Sequence, residues 1–162
     1  QNQNIILNEL VPLYEKSGIS EKPDIWVLSG AMNITTKILE LVENCKNEVM
    51  ITLPEVGIDL VKQALPKLRA LHDKGVKITI LTSDKIDKES ITSIKRVAEI
   101  KIKKGLFGGG IISDKRYVVI LLGPEVAGEN SSEVIAIWAD HIGLAGFARQ
   151  YFEYLLKDSK KT

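Results

Sequence analysis

Gly105-Leu-Phe-Gly-Gly-Gly-Ile-Ile-Ser-Asp-Lys-Arg-Tyr-Val-Val-Ile120 is the stretch whose reading decides the fold. Apolar residues at Ile111 and Ile112, and again from Tyr117 to Ile120, flank the polar tetrad Ser113-Asp114-Lys115-Arg116. The pattern predicts a strand, a tight turn and a second strand. Gly108, Gly109 and Gly110 lack a Cβ, so backbone there can approach another segment or a ligand closely. Two readings follow: a bulged strand against a close packing partner, which comes first, and the floor of a ligand site.

Upstream of this hairpin, strands and helices alternate. Ile25 to Ser29 reads as a short apolar strand, and Gly30 to Asn33 as a loop in which Asn33 caps a helix over Ile34 to Asn44. Ile34, Ile38, Leu41 and Val42 form the buried stripe of that helix. Val49 to Leu53 is a second strand, ended by Pro54-Glu55. A helix follows from Ile58 to Lys74, with a kink or restart expected at Pro66 and Gly75 as its C′ residue. Val76 to Thr82 is apolar enough to be buried on both faces, and a further helix runs from about Asp87 to Ala98.

Beyond the hairpin, Gly123 to Ser132 has the composition of a loop, and Glu133 to Asp140 that of a strand. A last helix covers Ile142 to Leu156, with Leu144, Ala148, Tyr151, Phe152 and Leu155 as its inward stripe. The order predicts an α/β fold: a mixed β-sheet flanked by helices on both faces. Residues 1–16 read as the end of a helix carrying Ile6, Leu10, Leu13 and Tyr14, residues 24–157 as one domain, and 158–162 as a frayed tail.

Composition narrows the function. With 162 residues, 44% hydrophobic and 27% charged, the chain can bury one good core. Its net charge of +1 gives no global bias towards nucleic acid. No apolar run approaches the roughly 20 residues of a membrane span. The single Cys45 excludes an internal disulfide and fits a reducing cytoplasm. The chain opens Gln1-Asn2-Gln3-Asn4 without an initiator Met and so reads as a piece of something longer.

The hairpin resembles the core hairpin of the phospholipase D superfamily, where His-x-Lys, four residues and Asp precede a hydrophobic strand. Asp114 matches that Asp, while Phe107 stands at the His position and Gly109 at the Lys position. The resemblance therefore implies that scaffold with its nucleophile and its phosphate-gripping Lys gone. More narrowly, the chain resembles the effector domain of TrmB-type archaeal transcriptional regulators. Gly30-x-x-Asn33-Ile34, Val49-Met-Ile-Thr-Leu-Pro-Glu55 and Gly75-Val-Lys-Ile78 carry the likeness. So do Ala136-Ile-Trp-Ala-Asp-His141, Gly143-Leu-Ala145 and Tyr151-Phe-Glu-Tyr-Leu155. The resemblance implies a homodimer, a small-molecule effector such as a sugar or an anion, and DNA contact only through an upstream winged helix. It implies no cofactor and no membrane. The rival readings are a phosphodiesterase or nuclease and a ligand-free oligomerisation module.

Ligands of open α/β sheets bind at strand ends. On that ground the ligand-binding candidates are Ser29, Thr52, Glu55, Thr82, Ser83, Gly108, Gly109, Gly110, Trp138 and Asp140. No catalytic residue is assigned. Phosphohistidine chemistry needs an imidazole. Of the two histidines, His72 reads as a solvated late-helix residue, and His141 follows Asp140. Asp140 reads first as the N-cap of the last helix, with an acid/base role as the alternative. The histidines and Cys45 have no metal-ligand spacing. Trp26 and Trp138 both read as core residues. Lys95, Arg96, Lys101, Lys103 and Lys104 form a basic cluster with three readings: it receives an anionic effector, touches DNA, or protects a sheet edge, the last being the commoner role of Lys on strands.

Overall fold

The computed structural model describes residues 24–106, 108–122 and 134–161. The expected helix end at 1–16 and the loop at 123–132 lie outside the described residues. The chain starts with β1 (Asp24–Ser29), α1 (Ala31–Glu43) and β2 (Glu48–Leu53). After a 3₁₀ turn at Glu55–Gly57 come α2 (Ile58–Asp73), β3 (Lys77–Thr82) and α3 (Lys88–Lys95). Then follow β4 (Glu99–Ile102), β5 (Gly110–Ser113), β6 (Tyr117–Leu121) and β7 (Ile135–Asp140). The chain closes with α4 (Ile142–Lys157) and the two-residue β8 (Lys160–Lys161).

All eight strands join one sheet in the order β1-β7-β6-β5-β2-β3-β4-β8. β2, β3 and β4 are parallel, connected by α2 and α3, because parallel neighbours need a crossover. β5, β6, β7 and β1 extend the sheet antiparallel from β2. The expected mixed sheet with helices on both faces is what forms. Alternation along each strand sends Val49, Ile51 and Leu53 to one face, where they meet Ile34 of α1 and Leu68 of α2. Met50, Leu81, Ile112 and Val118 point to the other face and pack with Ala145, Phe152 and Leu155 of α4.

Several boundaries differ from the sequence reading for identifiable reasons. α1 begins three residues before Ile34, since Gly30 at φ 88° turns the chain out of β1 directly into the helix. Asn33 is therefore inside the first turn, where its side-chain amide donates to the Ser29 carbonyl at 2.9 Å. α2 runs through Pro66 as one helix. Pro66 is on the exposed side of the helix. The C-terminus of α2 follows expectation: Gly75 at φ 89° donates to His72, and Val76 donates to Leu71, which is a Schellman closure. Trp26 is not in the core; β1 is an edge strand, and the indole is 60% exposed. The tail is not frayed throughout, because Lys160 and Lys161 pair with Ile102 and Lys101 of β4.

Candidate functional site

The β5–β6 hairpin closes where the sequence placed it. Asp114 and Lys115 adopt φ values of 54° and 59°, and the Arg116 N–H donates to the Ser113 carbonyl at 3.1 Å. Two consecutive left-handed residues define the turn whose twist suits a two-residue hairpin. The turn aims the Asp114 carboxylate at the loop between α1 and β2. It accepts backbone N–H bonds from Lys46, Asn47 and Glu48 at 2.9, 2.7 and 3.1 Å. Burial works to raise the Asp114 pKa, but these donors outweigh it and hold the group below the ordinary aspartate range. Beside it, burial pushes the Cys45 thiol up. Asp114 is thus a clamp on the backbone, with its acceptor capacity directed at main-chain donors.

The glycine run lies at the opposite end of β5. Gly110 pairs with Thr52, whereas Ser113 pairs with Val49. A Cβ on Gly110 would stand 2.5 Å from the Val119 carbonyl oxygen, and one on Gly109 would stand 2.7 Å from Cδ of Pro54. A side chain at either position would therefore force its neighbour to shift. Gly108 takes φ 89°, a conformation that favours glycine.

The ten candidate residues do not share one crevice. Thr52, Gly108, Gly109 and Gly110 line a cavity of about 280 Å3 on the α4 face, walled by Phe147 and Tyr151. Glu55 and Ser83 line a separate cleft of about 190 Å3 beside Lys85, whose Nζ is 4.0 Å from the Glu55 carboxylate. Thr82 is buried and its hydroxyl donates to the Leu53 carbonyl at 3.2 Å. Ser29 is exposed at the end of β1.

Trp138 and Asp140 belong elsewhere. Trp138 pairs with Val119 in mid-sheet, and Asp140 pairs with Tyr117 at the hairpin-turn end, far along the strands from the glycines. Asp140 receives Nε of Arg116 at 2.6 Å. The cap of α4 is instead His141, whose Nδ1 accepts from the Leu144 N–H at 3.0 Å. The cap moved by one residue because Asp140 is still paired in β7 and its carboxylate is engaged by Arg116. Lys37 of α1 lies 4.3 Å from the Trp138 ring centroid, a cation–π contact. Trp138, Lys46, Asn44 and Arg116 border a wider cleft of about 550 Å3 at this end.

Sequence reading missed two features. Tyr151, placed on the inward stripe, is 55% exposed and follows Phe147 along α4, where Phe147 is 74% exposed. The spacing 147, 151, 154 with Tyr154 is helical and was available as a signal. The second is a mostly apolar cavity between α1, α2 and the sheet. Of the basic cluster, Lys101 pairs with Glu99 and Lys103 with Asp158, both on or beside the β4 edge. Among the described residues no helix is long and apolar enough to cross a membrane.

This sheet has the phospholipase D fold. NucT from Helicobacter pylori matches with TM-score 0.70 and 12% identity over 86% of this chain and 99% of that one. Nuc from Salmonella typhimurium, a phospholipase D family member, matches with TM-score 0.65 and 12% identity over 86% and 98%. Residues 24–160 match the family model described as Transcriptional regulator TrmB, EBD N-terminal subdomain, and the chain belongs to that family. TrmBL2, an archaeal chromatin protein whose structure shows a novel mode of DNA binding, matches with TM-score 0.65 and 19% identity over 99% of this chain. The chain spans 63% of the length of TrmBL2. No curated protein matches it.

Proposed function

We propose that this chain is the non-catalytic, effector-sensing and dimerising part of a TrmB-family regulator, cytoplasmic and acting on DNA through a winged helix outside it. A single observation carries the non-catalytic reading. The position that would hold the phosphate-gripping Lys is Gly109, and the space its side chain would enter is taken by the ring of Pro54. With Phe107 at the nucleophile position, these two positions supply neither covalent attack nor phosphate charge neutralisation. Asp114 remains because its task in this chain is to hold backbone, which does not need the chemistry.

A sensing role works by bias. An effector bound at the domain favours one of two dimer arrangements, and the spacing of two attached winged helices sets operator affinity. The domain would span 24–157. The candidate contacts are Thr52 and Gly108 to Gly110 in the α4-face cavity, with Glu55 and Ser83 in the neighbouring cleft.

The decisive assay is incubation with a chromogenic phosphodiester and with single-stranded DNA. No turnover is expected. Turnover that disappears in His141→Ala would overturn the reading, since His141 is the buried imidazole of the domain. Sedimentation at micromolar concentration tests the dimer, and a strictly monomeric chain would remove the dimerising role.

A further inference from the structure

Between α1, α2 and the sheet lies a cavity of about 300 Å3. Ile34 and Ile38 of α1, Val61 and Leu68 of α2, and Ile51 and Ile111 of the sheet form its main walls. Among the described residues no charged side chain lines it, and Thr35 and Thr52 supply its hydroxyl groups. Its cause is legible in small residues. Ala31 and Ala64 face it from the helices, and Gly110 contributes no side chain from the sheet. Ala31 is exposed, and Thr35 and Leu60 are half-buried, so these three mark its mouth.

Protein interiors are close-packed, and voids larger than a water molecule are few. An apolar cavity of roughly 150 Å3 stays dry and accepts a benzene-sized molecule. This cavity is about twice that size and opens to solvent at one mouth, but its walls are mostly methyl groups, so water inside it finds few polar partners. A sugar or a phosphate would lose its hydration there and find two threonine hydroxyls in exchange, which is unfavourable. We propose that this cavity binds an uncharged apolar molecule, the size of two fused rings or a medium-length alkyl chain. The site names a ligand class for the sensing role proposed above, and its regulatory consequence rests on that reading. A ligand wedged between α1 and α2 would set their separation, and the edge strand β1 runs directly into α1 through Gly30.

The test uses naphthalene and 1-octanol as probes, with maltose and inorganic phosphate as polar controls, on the purified chain. Both apolar probes should raise the thermal midpoint by several degrees near saturation, as any ligand of the native state does. They should also shift the methyl NMR signals of Ile34, Ile51 and Leu68. Ala64→Leu fills the cavity; it should raise the midpoint without probe and abolish the probe-induced rise. Should Ala64→Leu not fold, Ala31→Trp at the exposed mouth should block the probes in its place. Equal binding of the probes to wild type and to the folded variant would overturn the site, as would no binding at all. A midpoint raised by maltose or phosphate but not by the apolar probes would sink the ligand class and leave the sensing reading intact. Probe binding with no change in sedimentation behaviour would leave the site and sink its regulatory use.

Discussion

The carboxylate of Asp114 accepts a 2.7 Å hydrogen bond from the backbone N–H of Asn47, across 67 residues of sequence. The same oxygen also takes the Glu48 N–H at 3.1 Å, and the other oxygen takes Lys46 at 2.9 Å. In return the Asp114 N–H donates to the Glu48 carbonyl at 2.8 Å. One turn residue thereby fixes both the hairpin and the entry to β2, the first of the three parallel strands.

Asp114→Asn should cost about 1–2 kcal/mol at neutral pH, because an amide replaces charge-assisted acceptance by one neutral oxygen. Asn tolerates the left-handed backbone at this position, so the loss reports the hydrogen bonds and not the turn. The pH dependence has a definite sign. The folded-state pKa is depressed, so the carboxylate's contribution is complete above the unfolded value of about 3.9 and is lost as pH falls through the folded one. Urea unfolding of wild type and variant should therefore differ at pH 7 and converge as pH drops below about 4. A difference that persisted at low pH would mean the turn itself had been damaged.

Gly109→Ala should destabilise by about 1–3 kcal/mol through overpacking against Pro54. Pro54→Ala in the same chain should recover part of that loss, giving a coupling energy in a double-mutant cycle. Gly110→Ala should cost more and find no such rescue, since its Cβ would meet backbone, the Val119 carbonyl. A neutral Gly109→Ala would refute the packing role of the run.

The architecture was readable because it rests on local patterns that tertiary contacts did not override. The turn residues at Ser113 to Arg116 and the C′ glycine at Gly75 each impose one conformation, and each appears. The N-termini of α1 and α4 were misread because a cap is chosen by competition. Asn33 and Asp140 are good caps in isolation, but Gly30 reverses the chain earlier, and Arg116 holds Asp140 in the strand. Trp26 was placed inside by its size alone; whether an aromatic is buried depends on strand order, which puts β1 at the edge. The site was the least legible part. Strand-end position can be guessed from each segment, but which ends face one another depends on direction and order. That is why Asp140 lies at the opposite end of the strands from the glycines, with Trp138 in between. A cavity has no sequence pattern, being volume that several side chains fail to fill.

Arg149→Met should lower stability by about 2 kcal/mol. Its guanidinium meets the Glu48 carboxylate at 2.6 Å, with side chains 25% and 13% exposed, and it also reaches Glu153 at 3.1 Å. Removing the cation leaves Glu48 largely buried and uncompensated. The pair ties α4 to β2 at the strand that Asp114 also clamps. Glu48→Gln in the Arg149→Met background should restore part of the loss by removing that stranded charge. Thermal denaturation checks both, and an Arg149→Met midpoint equal to wild type would show the pair contributes nothing.

Val27→Lys should weaken self-association at least tenfold if dimerisation uses the edge of the sheet. Among the described residues β1 pairs only with β7, so its outer edge has no described partner strand. Trp26 and Val27, 60% and 66% exposed, point to opposite faces of that edge. Natural edge strands are usually blunted by charge or by proline, and this one carries neither between Ile25 and Leu28. A lysine at 27 adds the missing charge without touching the buried core, so folding should survive and only association should change. Sedimentation equilibrium of wild type and variant reads the result. If Val27→Lys leaves association unchanged while Phe147→Glu abolishes it, the contact lies on the aromatic stripe of α4, and β1 is an edge that remains open.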